Sequence, residues 1–209
     1  MGNTHGIASA LRDGKGWTSE MANIVLGSGS PRRRELLERI GLRDFVVRVP
    51  ETEEKVREGL SSGQTVENLS WVKAWAVPAA PDEIIIAADT MVFLDGARLG
   101  KPKDEADALR MLTALQGRRH TVCTGVTVRQ GERSLTESEE SAVYIRRAEQ
   151  EELLRYIATK EPMDKAGAYG AQGLGSLLVE RIEGDFFNVM GLPLLRLSRM
   201  LERFGVRLL

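Results

Sequence analysis

The sequence predicts an α/β fold: one domain over 22–209, with a cleft, preceded by a loose leader over 1–21. Three observations carry this. Short apolar runs alternate along the chain with longer stretches whose apolar residues recur at helical spacing. Gly and Pro punctuate the boundaries, Asp95-Gly96 being the strongest hairpin signal. A length of 209 residues with 28% charged side chains suits a soluble chain able to bury a sizeable core.

Residues 24–26 read as a short buried strand, followed by a helix over 31–41 that Gly41 ends. Ser30 is placed to cap this helix, and Pro31 suits its first position. Residues 45–49 alternate like a strand, and 50–64 are polar and acidic, hence a loop. A helix over 65–77 is closed by Pro78 and Pro81. Two apolar runs, 84–88 and 91–94, read as strands leading into the Asp95-Gly96 turn. Ala108, Met111, Leu112 and Leu115 share one face of a helix over 104–115. Residues 121–128 and 141–145 read as strands and 149–159 as a helix. A Gly-rich loop over 165–175, a strand over 177–182 and a closing helix over 194–204 complete the chain.

The totals exclude several function classes. A formal net charge of −1 argues against a general electrostatic grip on nucleic acid. No apolar run approaches the roughly 20 residues needed to span a bilayer. Cys123 is the only cysteine, which rules out an internal disulfide and fits a reducing, cytoplasmic setting. Neither HExxH nor CxxC is present, so any bound metal is expected to be a hard ion held by carboxylates and substrate phosphates, Mg²⁺ or Mn²⁺.

Four stretches carry chemistry. In "GSGSPRRRELL", 27–37, three arginines stand at a helix start, where the helix dipole disfavours cations. A strand, a Gly/Ser loop and a helix start together form an anion site, and an anion would neutralise Arg32, Arg33 and Arg34. Three solvated arginines on a surface helix is the alternative. In "IIIAADTMVFLDGARLGKP", 84–102, Asp89 and Thr90 interrupt an apolar run, and a carboxylate buried there needs a cation, a metal or water. A three-residue turn sets Asp89 opposite Lys101, and a two-residue turn sets Thr90 there. Either way Lys101 is expected beside the Asp-Thr pair; an ion pair at a hairpin base is the plainer reading. In "DKAGAYGAQGLG", 164–175, glycines imply close backbone approach, and the Gln172 amide matches a pyrimidine edge. Tyr169 either stacks on a base or belongs to the core. Glu53, Glu54 and Lys73 draw weight only from this company, and His120 reads as a strand residue without special duty.

The order of these stretches resembles the Maf family of nucleoside triphosphate pyrophosphatases. The resemblance runs from Ile24 to Phe204 through "SGSPRRRELLERIG", "TEEKV", "VKA", "AADTMVFLDGARLGKPKDEADALRMLTALQGRRHTVCTGV" and "YIATKEPMDKAGAYGAQGLGSLLVERIEGDFFNVMGLPL". The "DKAGAYGAQG" form is similar to the dTTP/UTP branch. The resemblance implies a mixed twisted sheet flanked by helices, with a deep cleft between two lobes, as in inosine triphosphate pyrophosphatases. It implies Asp89 as general base, and Arg32, Thr90 and Gln172 at positions tied to substrate choice. Ser28, Arg33, Lys73, Lys101 and Lys165 fall on polar cleft positions that hold phosphates, and Glu54 with Asp89 on metal-holding acidic positions. A divalent cofactor, a small nucleotide substrate and a homodimer follow from the same resemblance. The rival from another class is a nucleotide-binding regulator of cell division with little turnover.

Overall fold

The computed structural model describes residues 23–52 and 56–209. The leader and Glu53, Glu54 and Lys55 lie outside the described residues. Among the described residues, seven strands form one mixed sheet: β1 Ile24–Leu26, β2 Phe45–Val47, β3 Ile84–Leu94, β4 Ala97–Leu99, β5 Arg119–Gln130, β6 Arg133–Ile145 and β7 Val179–Glu183. Their order is β2-β1-β3-β5-β6-β7, with β4 paired to β3. β1 runs parallel to both β2 and β3, and the other pairings between these strands are antiparallel. The helices are α1 Pro31–Arg39, α2 Ser62–Ala76, α3 Glu105–Leu115, α4 Gln150–Ala158, α5 Phe186–Met190 and α6 Leu194–Glu202.

The strand expected to break at Asp89-Thr90 is continuous over eleven residues, β3. Its alternation distributes side chains among three cores. Ile84, Ile86 and Ala88 pack with α1 and α6, through Leu36, Leu37, Leu197 and Leu201. Ile85 and Ala87 face α2, through Ala74 and the following Val77. Val92 and Leu94 join α3 and α4. Asp89 continues the odd-numbered face and so points to α2.

The edge of β3 changes partner. β1 accompanies it as far as the Leu26–Ile86 pair, and β4 takes over at Val92–Leu99. Residues 87–91 lie between, beyond the carboxyl end of β1, and this interruption places the cleft. The β3–β4 turn is the two-residue kind, Leu94 opposite Ala97, with Asp95 at φ 50° and Gly96 at φ 78°.

Other departures have local causes. α2 begins earlier than the apolar pattern suggests because Ser61 and Gln64 form a reciprocal capping box. β6 extends back to Arg133 through the polar run 133–140, whose residues are held by partners: Thr136 by Thr127, Ser138 by Glu67, and Glu137 and Glu139 by Arg196. Ser30 occupies the N-cap position of α1 without making a side-chain cap; the Ser28 hydroxyl accepts from its N–H instead. The five-residue α5 carries no periodic signal and was not expected; Asp185 caps it and Gly191 ends it at φ 109°.

Gly125 is the contact on which α2 rests. It pairs with Asp89 in the ladder, and a Cβ there would run into the Val66 carbonyl and come within 2.7 Å of the Glu67 nitrogen. Helix and sheet therefore touch backbone to backbone, where even one methyl does not fit. Gly125→Ala is expected to destabilise the fold by about 3 kcal/mol, at the upper end of ordinary overpacking, because neither backbone can yield. Urea unfolding of the two proteins checks this.

Candidate active site

A cleft of about 720 Å³ opens at the interruption in the sheet. Its walls are the loop from β1 into α1, the end of β4, the segment 164–172 and the corner after α5, with β3 as floor. Ser28, Arg32, Arg33, Lys73, Asp89, Thr90, Lys101, Lys165 and Gln172 all line it. Glu54 lies outside the described residues.

The arginine triplet divides. Successive helical residues are about 100° apart, so three in a row cannot share one face. Arg32 and Arg33 line the cleft, whereas Arg34 is exposed and pairs with Glu38 on the outer surface. The expectation that all three meet one anion is corrected accordingly. Arg33 is held on three sides: Nε donates to the Gly191 carbonyl at 2.8 Å, Nη1 to Ser28 Oγ at 3.1 Å and Nη2 to Thr90 Oγ1 at 3.1 Å. Thr90 in turn shares a 2.9 Å hydrogen bond with Thr124, which also lies 2.9 Å from the Asn188 carbonyl. Asn188 is fully buried and donates to the Val122 carbonyl and to Ser141 Oγ. The guanidinium is thus positioned by β3, β5 and α5 together.

Asp89 is 5% exposed. Its Oδ1 accepts from Lys73 Nζ, and its Oδ2 is buried without a hydrogen-bond partner among the described residues. The cation beside Asp89 is therefore Lys73, not Lys101. The turn has the two-residue form, but β4 stops at Leu99 and the Gly100 carbonyl accepts from Gly167 N–H. The chain leaves the ladder before Lys101, whose exposed side chain lines the cleft from another wall. Helical phase explains Lys73: it follows Val66 by seven residues, two turns, and Val66 is the residue seated on Gly125 opposite Asp89. A charge this buried is costly unless paired, so α2 and β3 each supply what the other needs.

The family profile for Maf-like protein matches residues 23–204. The chain belongs to the Maf-like family. A dTTP/UTP pyrophosphatase of Dictyoglomus turgidum is 49% identical over 190 residues, 89% of this chain and 98% of its own. The dTTP/UTP pyrophosphatase of Caldicellulosiruptor bescii is 47% identical over 196 residues, 90% of this chain and 98% of its own. Among solved structures, the Staphylococcus aureus Ham1 protein is similar over 75% of this chain and 79% of its own, with 20% identity and a TM-score of 0.44.

In this Maf-like chain the wall opposite α1, 164–172, is part of a longer segment, 161–177, that contains 3₁₀ turns at Glu161–Asp164, Ala166–Ala168 and Gly173–Leu177. Asp164 joins the walls: it accepts from Arg32 at 3.0 Å and from Lys165 Nζ at 2.6 Å. Burial raises the Asp164 carboxyl, but Lys165 and Arg32 outweigh it and leave it below the usual range. Gln172 is half-buried at this wall. Tyr169 belongs to the core, 5% exposed, and its hydroxyl hydrogen-bonds His120 Nε2 at 2.7 Å. His120 thus has a task that its sequence context does not reveal: it anchors the Tyr169 ring under the cleft.

Burial, with Arg119 adding, pushes the His120 imidazole down to about 4. A folded value below the unfolded one means the unfolded chain binds the extra proton. The contribution of this group to stability is then intact above about pH 6.5 and lost as pH falls through the window to about 4. The full window is worth on the order of 3 kcal/mol. Thermal melts of wild type and His120→Gln at stepped pH should show a weaker decline between pH 6.5 and 4 in the variant, whose amide can still bond Tyr169.

Proposed function

We propose that this protein hydrolyses nucleoside triphosphates, dTTP and UTP among them, to the monophosphate and pyrophosphate. The observation that carries the reading is a buried carboxylate, Asp89, with one oxygen on Lys73 and the other without a partner among the described residues, beside the Arg33–Ser28–Thr90 cradle. The cleft gathers five cationic side chains, Arg32, Arg33, Lys73, Lys101 and Lys165, against two carboxylates, Asp89 and Asp164, among the described residues. In a chain with a net charge of −1 that local excess suits a polyphosphate. The dTTP/UTP specificity named for the relatives agrees with an amide, Gln172, at the far wall.

Asp89 is the general base in this reading. Lys73 holds the carboxylate through Oδ1, and the carboxylate takes the proton as the water oxygen attacks the α-phosphorus. The bond from that phosphorus to the bridging oxygen breaks, and pyrophosphate leaves with the electron pair. Arg33 keeps its fork fixed through Gly191, Ser28 and Thr90, which spares reorganisation as charge shifts to the leaving group. Lys101 and Lys165 neutralise the phosphate tail from the two walls. Positioning and electrostatics supply most of the acceleration in such transfers.

A divalent ion, Mg²⁺ or Mn²⁺, is part of the proposal, and the donor set fits one. The described residues hold no group of three or more His, Cys, Asp or Glu able to cage a metal, while Asp89 Oδ2 is a buried oxygen donor without a partner among them. One or two carboxylates completed by substrate phosphates and water is how Mg²⁺ is commonly held. Such an ion would neutralise phosphate oxygens and acidify the attacking water. The homodimer that the resemblance implies is checked by sedimentation.

Assay of a nucleoside triphosphate panel with Mg²⁺ or Mn²⁺, scored for pyrophosphate against single phosphate, tests the reaction. Pyrophosphate release is expected; release of single phosphate defeats the proposal. Asp89→Asn should lower turnover roughly 10²–10⁴-fold while the protein remains folded by circular dichroism. Gln172→Ala should narrow the ratio of dTTP to CTP turnover more than it slows dTTP; an unchanged ratio removes Gln172 from base recognition.

A further inference from the structure

The wall that carries Gln172 has little secondary structure of its own, and a carboxylate outside the cleft takes its place. Glu161 follows α4 and does not line the cleft. Its Oε2 accepts the Leu174 N–H at 2.9 Å, and its Oε1 accepts the Gly175 N–H at 2.9 Å. The same Oε1 accepts the Tyr156 hydroxyl at 3.0 Å, and the Tyr156 oxygen accepts the Gly170 N–H at 3.1 Å. The bonded amides, 170 on one side and 174 and 175 on the other, bracket Gln172. The backbone closes tightly round this pair of side chains. A Cβ on Gly173 would stand 2.7 Å from Glu161 Oε2, and one on Gly175 would strike the Tyr156 hydroxyl and the Gly170 carbonyl. Tyr156 is 6% exposed and packed in the core formed by α3 and α4. Helix α4 is therefore the rigid body to which the Gln172 loop is tied.

We propose that Glu161, acting with Tyr156, is a positioning residue for base discrimination, fixing through three backbone amides the loop that presents Gln172. This rests on the reading of Gln172 as the group that meets the base. Two chemical features favour it. An amide that offers one donor and one acceptor to a base edge discriminates only while held within about 0.5 Å and 10–20° of its productive placement. Three bonded N–H groups on a carboxylate and the hydroxyl it orders are also stiffer than a loop hydrated by water, since hydrogen bonds to an ionised acceptor are roughly twice as strong as neutral ones. Burial raises the Glu161 carboxyl, but the Gly175 and Leu174 amides, the Tyr156 hydroxyl and Lys165 outweigh it, so the ionised form is the one held. Neither residue reaches the Asp89–Lys73 floor, so their loss should act on base choice and substrate affinity rather than on the chemical step.

Glu161→Gln and Tyr156→Phe test the proposal. The glutamine side chain has a single acceptor oxygen for the two loop amides, and its NH₂ group faces a donor. Phenylalanine keeps the packed ring and removes only the hydroxyl, so it carries the test if the glutamine variant does not fold. For Glu161→Gln the kcat/KM ratio of dTTP to CTP should fall about tenfold, through KM, with kcat for dTTP within about threefold of wild type. For Tyr156→Phe the fall should be smaller, about threefold. Amide hydrogen exchange in residues 170–175 should quicken by a similar factor in both variants while β3 stays protected, a readout that needs no turnover. A folded variant pair that keeps the wild-type ratio, or whose loop exchanges at the wild-type rate, overturns the proposal. A wild type that does not discriminate dTTP from CTP instead defeats the underlying reading of Gln172, and the positioning role falls with it. The wild-type ratio, read with that of Gln172→Ala, separates the two failures.

Discussion

A carboxylate in the middle of a buried strand organises this molecule. Asp89 lies at the centre of β3, with its ladder partner Gly125 on one edge and the end of β1 on the other. Burying a carboxylate costs several kcal/mol unless a cation comes to it. The cation must come from the element covering that face of the sheet, α2, and α2 must lie close enough for a lysine to reach. Gly125 permits the approach, because Val66 and Glu67 rest directly on its backbone. The register then presents Lys73 two turns further along. Charge, helix placement and the absence of one methyl group are thus a single constraint.

The same strand explains why the cleft lies where it does. An uninterrupted neighbour along β3 would cover residues 87–91, and Asp89 would be an isolated internal ion pair. Because β1 ends at Leu26 and β4 begins its pairing at Leu99, one edge of β3 is left for the loop glycines and the start of α1. Arg33 fills part of that edge with a fork held by the Gly191 carbonyl, Ser28 and Thr90. The strain suggested by cations at a helix start is relieved in two ways. Arg32 finds Asp164 across the cleft, and Arg34 turns outward to Glu38. Only Arg32 and Arg33 of the three face the cleft.

What could be read from the sequence depended on whether the signal was local. The helix carrying Ala108, Met111, Leu112 and Leu115, and the Asp95-Gly96 turn, announce themselves through periodicity and backbone preference. The interruption of an apolar strand by Asp89-Thr90 marked the floor of the cleft for the same reason. The partner of Asp89 was not legible: Lys73 sits on a helix among tryptophans, where a lysine ordinarily snorkels, and only the packing of α2 on Gly125 turns it inward. Lys101 was nearer in the chain and better placed by the turn, yet the ladder ends two residues before it. His120, Asn188 and Thr124 left no trace because their partners are distant in sequence: 49 residues from His120 to Tyr169, and 64 from Thr124 to Asn188. The polar half of β6 hid for a related reason, since its hydroxyls and carboxylates are satisfied by α2 and α6 rather than by an apolar core.

The two ends of the cleft are built to different standards of rigidity. At the floor, Asp89 and Thr90 belong to a ladder of ten residue pairs between β3 and β5, so moving either means moving the sheet. At the far wall, 3₁₀ turns and positive-φ residues such as Ala168 and Gly173 leave few backbone hydrogen bonds, and the remaining amides depend on side chains. A change in a few side chains can therefore reshape the far wall while leaving the floor in register. Under the proposed reading, the reacting phosphorus at the floor demands fixed geometry whatever base is attached, whereas the base end at the far wall only has to distinguish one heterocycle from another. Separating a sheet-borne floor from a side-chain-borne wall lets the two requirements be met independently in a chain of this size.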